Sequence, residues 1–332
     1  MKNIYALCLV SLSILTFSQT IANDNFNSMT LGNLVPNTTG SLGQNGYFAN
    51  KGSVSDYQVV VKDAAHGNSV EFTNGTGNTD NDDRLAFKAI TVTADPGNNI
   101  IRGSLEIFTG NNNGDGIIEC VLYDSNKFGI VGIGYNYTTK RIVGRGRYTL
   151  QGPGGTTGTD FFTIDRTTGP GGTTYPANTW VPVSFTYNKT TGAYMWTNPN
   201  GSFDYPDASV VPVAGLTPTQ YSLGSNVLTD NSVTNTAAID NLILNFTNTT
   251  LATNEAASSD NQIGIYPNPV ADLITVKSNL KVERIDIYDA SGRKVSGNSN
   301  ESKINVKNLL PGTYVINIET KNGKVSKKFI KK

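Results

Sequence analysis

Glu106 and Glu119 are the residues whose types and spacing point most directly to chemistry. They lie on two alternating apolar runs, Ile100–Thr109 and Gly116–Asp124, joined by Gly110-Asn111-Asn112-Asn113-Gly114-Asp115, a composition suited to a hairpin turn. A two-residue turn at Asn112-Asn113 sets the two glutamates directly opposite each other. A turn at Asn113-Gly114 sets Glu106 opposite Val121 and Glu119 opposite Phe108. Either register leaves both carboxylates on one face, away from Leu105, Ile107 and Ile118. Carboxylates about 5 Å apart can act as nucleophile and acid/base of a retaining glycosidase, because like charges so close raise one pKa. The plainer alternative is a solvated acidic sheet face.

Three further groups carry possible ligand chemistry. Asn111, Asn113 and Asp115 fall at ligand positions of an oxygen-rich calcium loop, with Gly116 at the turn and Ile118 at the apolar position. The twelfth position holds Leu122 in place of the bidentate Glu that gives such loops their affinity, so a hairpin turn explains the same letters. A structural calcium, here or near Asp80-Asn81-Asp82-Asp83, is the one cofactor that the composition suggests. Tyr194 and Trp196 share a strand face, with Phe203 and Tyr205 after them and Tyr175 and Trp180 before. Such rings either stack on sugars or fill a core. Arg141, Arg145 and Arg147 share strand parity beside Lys140 and either grip an anionic glycan or neutralise nearby acids. Gly132-Ile133-Gly134 and Gly144-Arg145-Gly146 lie within strand-like runs with no helix after them, so they are not nucleotide loops.

The elements that must position these residues are strands. From Asp24 to about Thr250 short alternating runs are separated by Gly, Asn, Asp, Pro and Thr, the signature of an all-β sandwich or barrel. Candidate strands are Tyr57–Lys62, Ser69–Thr73, Arg84–Ile90, Ile100–Thr109, Gly116–Asp124, Phe128–Tyr135, Arg141–Leu150, Phe161–Asp165, Trp180–Asn188, Ala193–Thr197 and Ala237–Phe246. The order near the end is a tryptophan-led alternating strand, a turn, a short aromatic strand and a late Ile239-Asp240-Asn241-Leu242 strand. It loosely resembles the concanavalin/laminin-G jelly roll. That resemblance implies a fold that hosts both sugar binders and glycan-active enzymes. Its glycosidases carry an E-x-D-x-E strand, absent here, and its lyases need Arg, Tyr and His sets, whereas the chain's one histidine, His66, lies in a loop-like stretch.

The last seventy residues read differently. Ile263–Val270 opens them, and Leu273–Val276, Ile285–Tyr288 and Tyr314–Ile318 alternate between turns at Ala290-Ser291-Gly292, Pro311-Gly312 and Asn322-Gly323, as in a small antiparallel sandwich of about seven strands. Tyr266, Pro267, Asn268 and Pro269, then Gly292 and Arg293, then Pro311, Gly312 and Tyr314, then Lys327-Lys328-Phe329-Ile330 resemble the C-terminal sorting domain of the type IX (Por) secretion system. The resemblance implies an Ig-like export tag read by the type IX machinery and its sortase. The tag carries a folded passenger to the outside or to the outer-membrane surface and is then usually removed.

Charge and length fit this division. Residues 263–332 carry 13 Lys+Arg against 6 Asp+Glu, a net +7, and residues 23–262 carry 12 against 20, a net −8. An acidic passenger repels phosphate backbones, which argues against nucleic acid. Lys2, the apolar run Ile4–Phe17 and Thr20-Ile21-Ala22 read as a secretory leader cut after Ala22, or after Gln19. With Cys8 in the leader, Cys120 has no intramolecular partner. The mature chain has no run near the ~20 apolar residues that a spanning helix requires. The expected organisation is therefore a leader at 1–22, an all-β jelly-roll passenger at 23–250, a linker at 251–262 and an Ig-like sorting domain at 263–332. The favoured function is non-catalytic binding at the cell surface, in adhesion or in capture of a polysaccharide or surface glycan, contacted by Tyr194, Trp196 and the Asn111–Glu119 region. The alternatives are a glycoside hydrolase or polysaccharide lyase using Glu106 and Glu119, and a structural surface-layer protein.

Overall fold

A computed structural model describes residues 18–152, 155–248, 263–278, 281–289, 293–299, 303–320 and 323–332. The expected leader up to residue 17, the linker at 251–262, and Gly292 of the sorting motif lie outside these described residues. Contacts divide the chain into two compact units, residues 1–256 and 257–332.

The first unit is a jelly-roll β-sandwich. Sheet A has nine strands. Its hydrogen-bonded order is β14 (Gly201–Phe203), β13 (Tyr194–Asn198), β12 (Trp180–Asn188), β7 (Ile100–Phe108), β17 (Thr236–Thr247), β5 (Asn68–Thr73), β4 (Tyr57–Val61) and β2 (Gly32–Asn33), with β1 (Ser18–Asp24) also on β17. Sheet B has eight. Its order is β11 (Gly155–Ile164), β10 (Arg141–Gly152), β9 (Gly129–Asn136), β8 (Gly116–Tyr123), β16 (Gln220–Val227), β6 (Arg84–Ala89) and β3 (Phe48–Ala49), with β15 (Val210–Pro212) on β10. The alternation that marks each strand decides its inner face. In β12, Val181, Val183, Phe185 and Tyr187 are buried, and Trp180, Pro182, Ser184 and Thr186 between them are only partly so.

The expected hairpin between β7 and β8 does not form. β7 pairs with β12 and β17 in sheet A, and β8 pairs with β9 and β16 in sheet B, so residues 109–115 cross from one sheet to the other. Turn-like letters fit a crossover as well as a hairpin, because both need the same backbone turns. The expected leader boundary also falls inside a strand. Residues 18–24 pair with Thr247–Leu242.

The second unit is a small sandwich of a three-stranded and a four-stranded sheet. The first is β18 (Ile263–Tyr266), β19 (Leu273–Ser278) and β22 (Lys303–Asn305). The second is β21 (Lys294–Ser299), β20 (Val282–Asp289), β23 (Gly312–Thr320) and β24 (Gly323–Lys331). Val270, Ile274, Ile285, Ile287, Ile316, Ile318 and Phe329 form its core. The sorting motif is structural here. Asn268 Oδ1 accepts from the Ile330 amide at 2.9 Å, and the Val270 amide donates to Ile330 at 2.8 Å. Tyr314 donates to Leu310 and stacks on Phe329 at 5.5 Å. The opening motif is thereby stitched to the last strand.

Candidate functional site

Tyr194 and Trp196 are core residues. Trp196 is fully buried and Tyr194 nearly so, in a stack whose ring centroids lie 5.6 Å apart at 3°. Strand parity alone permitted either face. Two observations explain the inward one. The indole donates to the Gly132 carbonyl at 2.8 Å, and a Cβ on Gly144 would come within 2.3 Å of the indole ring. The glycines of β10 thus serve as a flat seat for Trp196, and neither ring presents a face to a sugar.

Several oxygens of the Asn111–Asp115 loop are engaged by residues outside it. Asn111 accepts from the Thr236 amide, Asp115 accepts from Thr138, and the Lys140 ammonium binds Asn112 and the Tyr137 carbonyl. The Lys140 ammonium sits beside the expected ligands, on Asn112, and Leu122 is buried in the core. Among the described residues no group of three or more His, Cys, Asp or Glu is arranged to hold a metal.

The two glutamates are also separated. Glu106 leaves the outer face of sheet A and Glu119 the outer face of sheet B, with the core between them. Sheets pack about 10 Å apart, so outward carboxylates on opposite sheets exceed the roughly 5–9.5 Å that paired glycosidase carboxylates require.

Glu106 belongs to a polar cluster under the loop that follows β4. Its carboxylate accepts from Asn241 Nδ2 at 2.5 Å and faces His66 Nε2 at 3.3 Å. His66 Nδ1 lies 2.8 Å from Asp63, and its ring stacks on Trp180 at 4.1 Å. Burial raises the Asp63 carboxyl, but hydrogen bonds from His66 and Trp180 outweigh it and hold the carboxyl below its usual range. Asp240, opposite Glu106 at a bulge in β17, is fully buried with Oδ2 lacking a hydrogen-bond partner. Burial, aided by Glu106 and Asp24 and opposed by the Asn241 amide and His66, pushes its carboxyl up to about 7.

A pH dependence follows. The unfolded chain releases the Asp240 proton near 3.8 and the folded chain near 7, so between these values the native state holds more protons. Stability is therefore greatest below that window and falls as pH rises through it, by up to about 1.4 kcal/mol per unit, or about 2–4 kcal/mol in all. Asp240→Asn is expected to remove most of this slope in urea denaturation curves taken at successive pH values. Some slope remains from Glu119 and Asp83, which are also raised.

The outer face of sheet B holds the more extensive arrangement. Cross-strand register aligns Phe48, Phe87, Ser222, Val121, Gly132, Arg145 and Thr163 in one row. Its middle residues, Ser222, Val121 and Gly132, are buried, and Phe48, Phe87 and Arg145 at its sides are only partly so. The row is a trough with a floor of small side chains. On one wall Phe48 and Phe87 stack at 5.8 Å, and Tyr123 joins Phe87 at 6.0 Å across the small Ser222. On the other wall the Arg145 guanidinium lies 4.9 Å from the Phe161 ring centroid.

Glu119 rises from the floor beside Gly134. It accepts from Asn226 Nδ2 at 2.8 Å, and its Oε2 lies 3.3 Å from Arg145 Nε without hydrogen-bond alignment. Glu119 Oε2, Arg145 Nε and Asn226 Oδ1 all lack hydrogen-bond partners. Burial raises the Glu119 carboxyl, Arg145 pulls it back, and Asp83 adds to the rise. Glu119 and Arg145 thus form a largely buried ion pair beside Asn226 between the aromatic walls. The basic stripe is neutralised, because Arg141, Arg145 and Arg147 pair with Asp165, Glu119 and Asp124. Phe87 shares this face with Tyr123 and Phe161 only because β16 pairs β6 to β8, a pairing that strand patterns do not reveal.

Comparison with known proteins decides the second unit. Residues 264–332 match the family described as the secretion system C-terminal sorting domain. The tail is a type IX sorting domain. A type IX sorting domain at this position marks the chain for export to the cell surface or for secretion, and among the described residues no helix is long and apolar enough to cross a membrane. No curated protein matches the chain. Similar solved structures include the CBM2 module of the Lactobacillus casei BL23 phage J-1 evolved Dit (TM-score 0.39, 11% identity, covering 71% of this chain and 99% of that one). The binding domain of botulinum neurotoxin DC in complex with rat synaptotagmin II gives 0.37 and 13%, covering 91% and 73%. A sialidase gives 0.36 and 8%, covering 61% of this chain, which spans only 16% of that enzyme. At these scores the likenesses bear on neither the site nor its ligand.

Proposed function

We propose that the exported passenger is a non-catalytic carbohydrate-binding module whose outer sheet B face takes a neutral glycan chain, serving adhesion or polysaccharide capture. The observation that carries this reading is the trough. Partly exposed rings of Phe48, Phe87, Tyr123 and Phe161 flank a polar floor in which Glu119, Arg145 and Asn226 cluster. Aromatic faces stack on the apolar faces of sugar rings, and hydroxyls both donate and accept. Pairing of all three arginines favours a neutral chain over an anionic one. Separation of Glu106 from Glu119 weighs against the paired-carboxylate enzyme.

A glycan array scored for both binding and sugar release tests the proposal. Binding without release is expected, and Phe87→Ala is expected to weaken it by about 0.5–1.5 kcal/mol, close to tenfold in Kd at the upper end. Sugar release that disappears in Glu119→Gln would replace this reading with the glycan-active enzyme. Self-assembly with no glycan signal would replace it with the surface-layer protein.

A further inference from the structure

The seven residues Ser18–Asp24 form a strand of the passenger, although the leader pattern runs through them. They pair with Thr247–Leu242 along the edge of β17 that β5 leaves open, since β5 reaches only from Thr236 to Ile239. Their side chains are built in as well. Gln19 donates to the Thr93 carbonyl at 3.1 Å and accepts from the Asp95 amide at 2.5 Å and from Asn98 Nδ2 at 3.0 Å. Ile21 packs against the core, Ala22 and Asp24 are buried, and Asp24 accepts from the Phe26 amide at 2.9 Å.

A cut after Ala22 would leave only Asn23 and Asp24 of this strand. It would expose the β17 edge from Leu244 to Thr247, and a bare edge is a template for unwanted pairing. A cut after Gln19 would keep most of the pairing but release the 93–98 loop from all three Gln19 hydrogen bonds.

We propose that the leader is cut no later than the Ser18–Gln19 bond, so that the mature passenger keeps Gln19 and the whole inward-facing part of β1. Thr16 and Ser18 supply the small residues at the third and first positions before that bond, the pattern that a signal peptidase reads. Water adds across the amide, leaving a carboxylate on Ser18 and an ammonium on Gln19. The strand also lies beside the last passenger strand, with Ser18 opposite Thr247. The two ends of the cargo therefore hold each other, and trimming into either one opens the same pair. This inference is independent of the glycan reading.

Mass spectrometry of the amino-terminal peptide of the protein exported from cells carrying the full-length gene tests it. A first residue of Gln19, free or cyclised with loss of ammonia, or any earlier residue, supports the proposal. A first residue of Thr20 or later, Asn23 included, overturns it. As a second measurement, a chain beginning at Asn23 is expected to melt about 5–10 °C below one beginning at Gln19. Equal melting temperatures would also overturn the proposal.

Discussion

Removing residues 263–332 is expected to leave the passenger folded but confined inside the outer membrane. Immunoblots of medium, surface and periplasmic fractions should show the exported signal falling to background while a soluble, protease-resistant passenger accumulates in the periplasm. The sorting domain has its own core of Val270, Ile274, Ile285, Ile316 and Phe329. The passenger core draws on none of these residues. Loss of the tail therefore removes the export signal and leaves the passenger core whole. A passenger exported at normal levels without its tail would refute the export account.

Trp196→Ala is expected to be the most damaging single substitution in the passenger, and to act on stability. Trp196 is fully buried, stacks with Tyr194 and donates to Gly132. Its truncation should cost about 3–5 kcal/mol. At about 2–4 °C per kcal/mol for a domain of this size, that is a fall of roughly 6–20 °C in Tm. Gly144→Ala approaches the same contact from the other side, since its added Cβ would meet the indole at 2.3 Å, and overpacking costs about 1–3 kcal/mol. Differential scanning calorimetry of both variants checks this. An unchanged Tm in Trp196→Ala, with glycan binding lost, would place the indole at a surface instead of in the core.

Much of the fold was legible from alternation. β4 to β10, β12, β13 and β17 fall close to the runs expected for them, most because inward apolar and outward polar residues alternate, although β8 and β9 are buried almost throughout, and β11 starts six residues before its expected run. β16 was missed because Gln220–Val227 is interrupted by serine, glycine and asparagine, and its outward Ser222 and Gly224 are small to suit the trough floor. β1 was hidden because its Ile21 and Ala22 also suit a leader. The sorting domain was legible in full outline, because its turns and strands occur in a fixed order at short spacing.

The site was much less legible. Parity puts Glu106 and Glu119 on one face only if their strands are neighbours, and that depends on whether residues 109–115 turn back or cross to the other sheet. Both routes use the same glycines and asparagines. Tyr194 and Trp196 posed a similar problem. Their shared face was readable, but which face looks inward is set by the glycine seat on β10, a partner far away in sequence. Of the partly exposed rings on sheet B, Tyr123 and Phe161 share one meander, and Phe87 joins them only through β16, which lies between β6 and β8.

The most direct test is amide hydrogen exchange of the exported passenger with and without a bound neutral oligosaccharide. Protection is predicted to rise along β6, β8, β10 and β11, around Phe87, Tyr123, Arg145 and Phe161, and to need up to about tenfold more sugar in Phe87→Ala. Protection confined to the Glu106, His66 and Trp180 face of sheet A, or none at saturating sugar, would contradict the account.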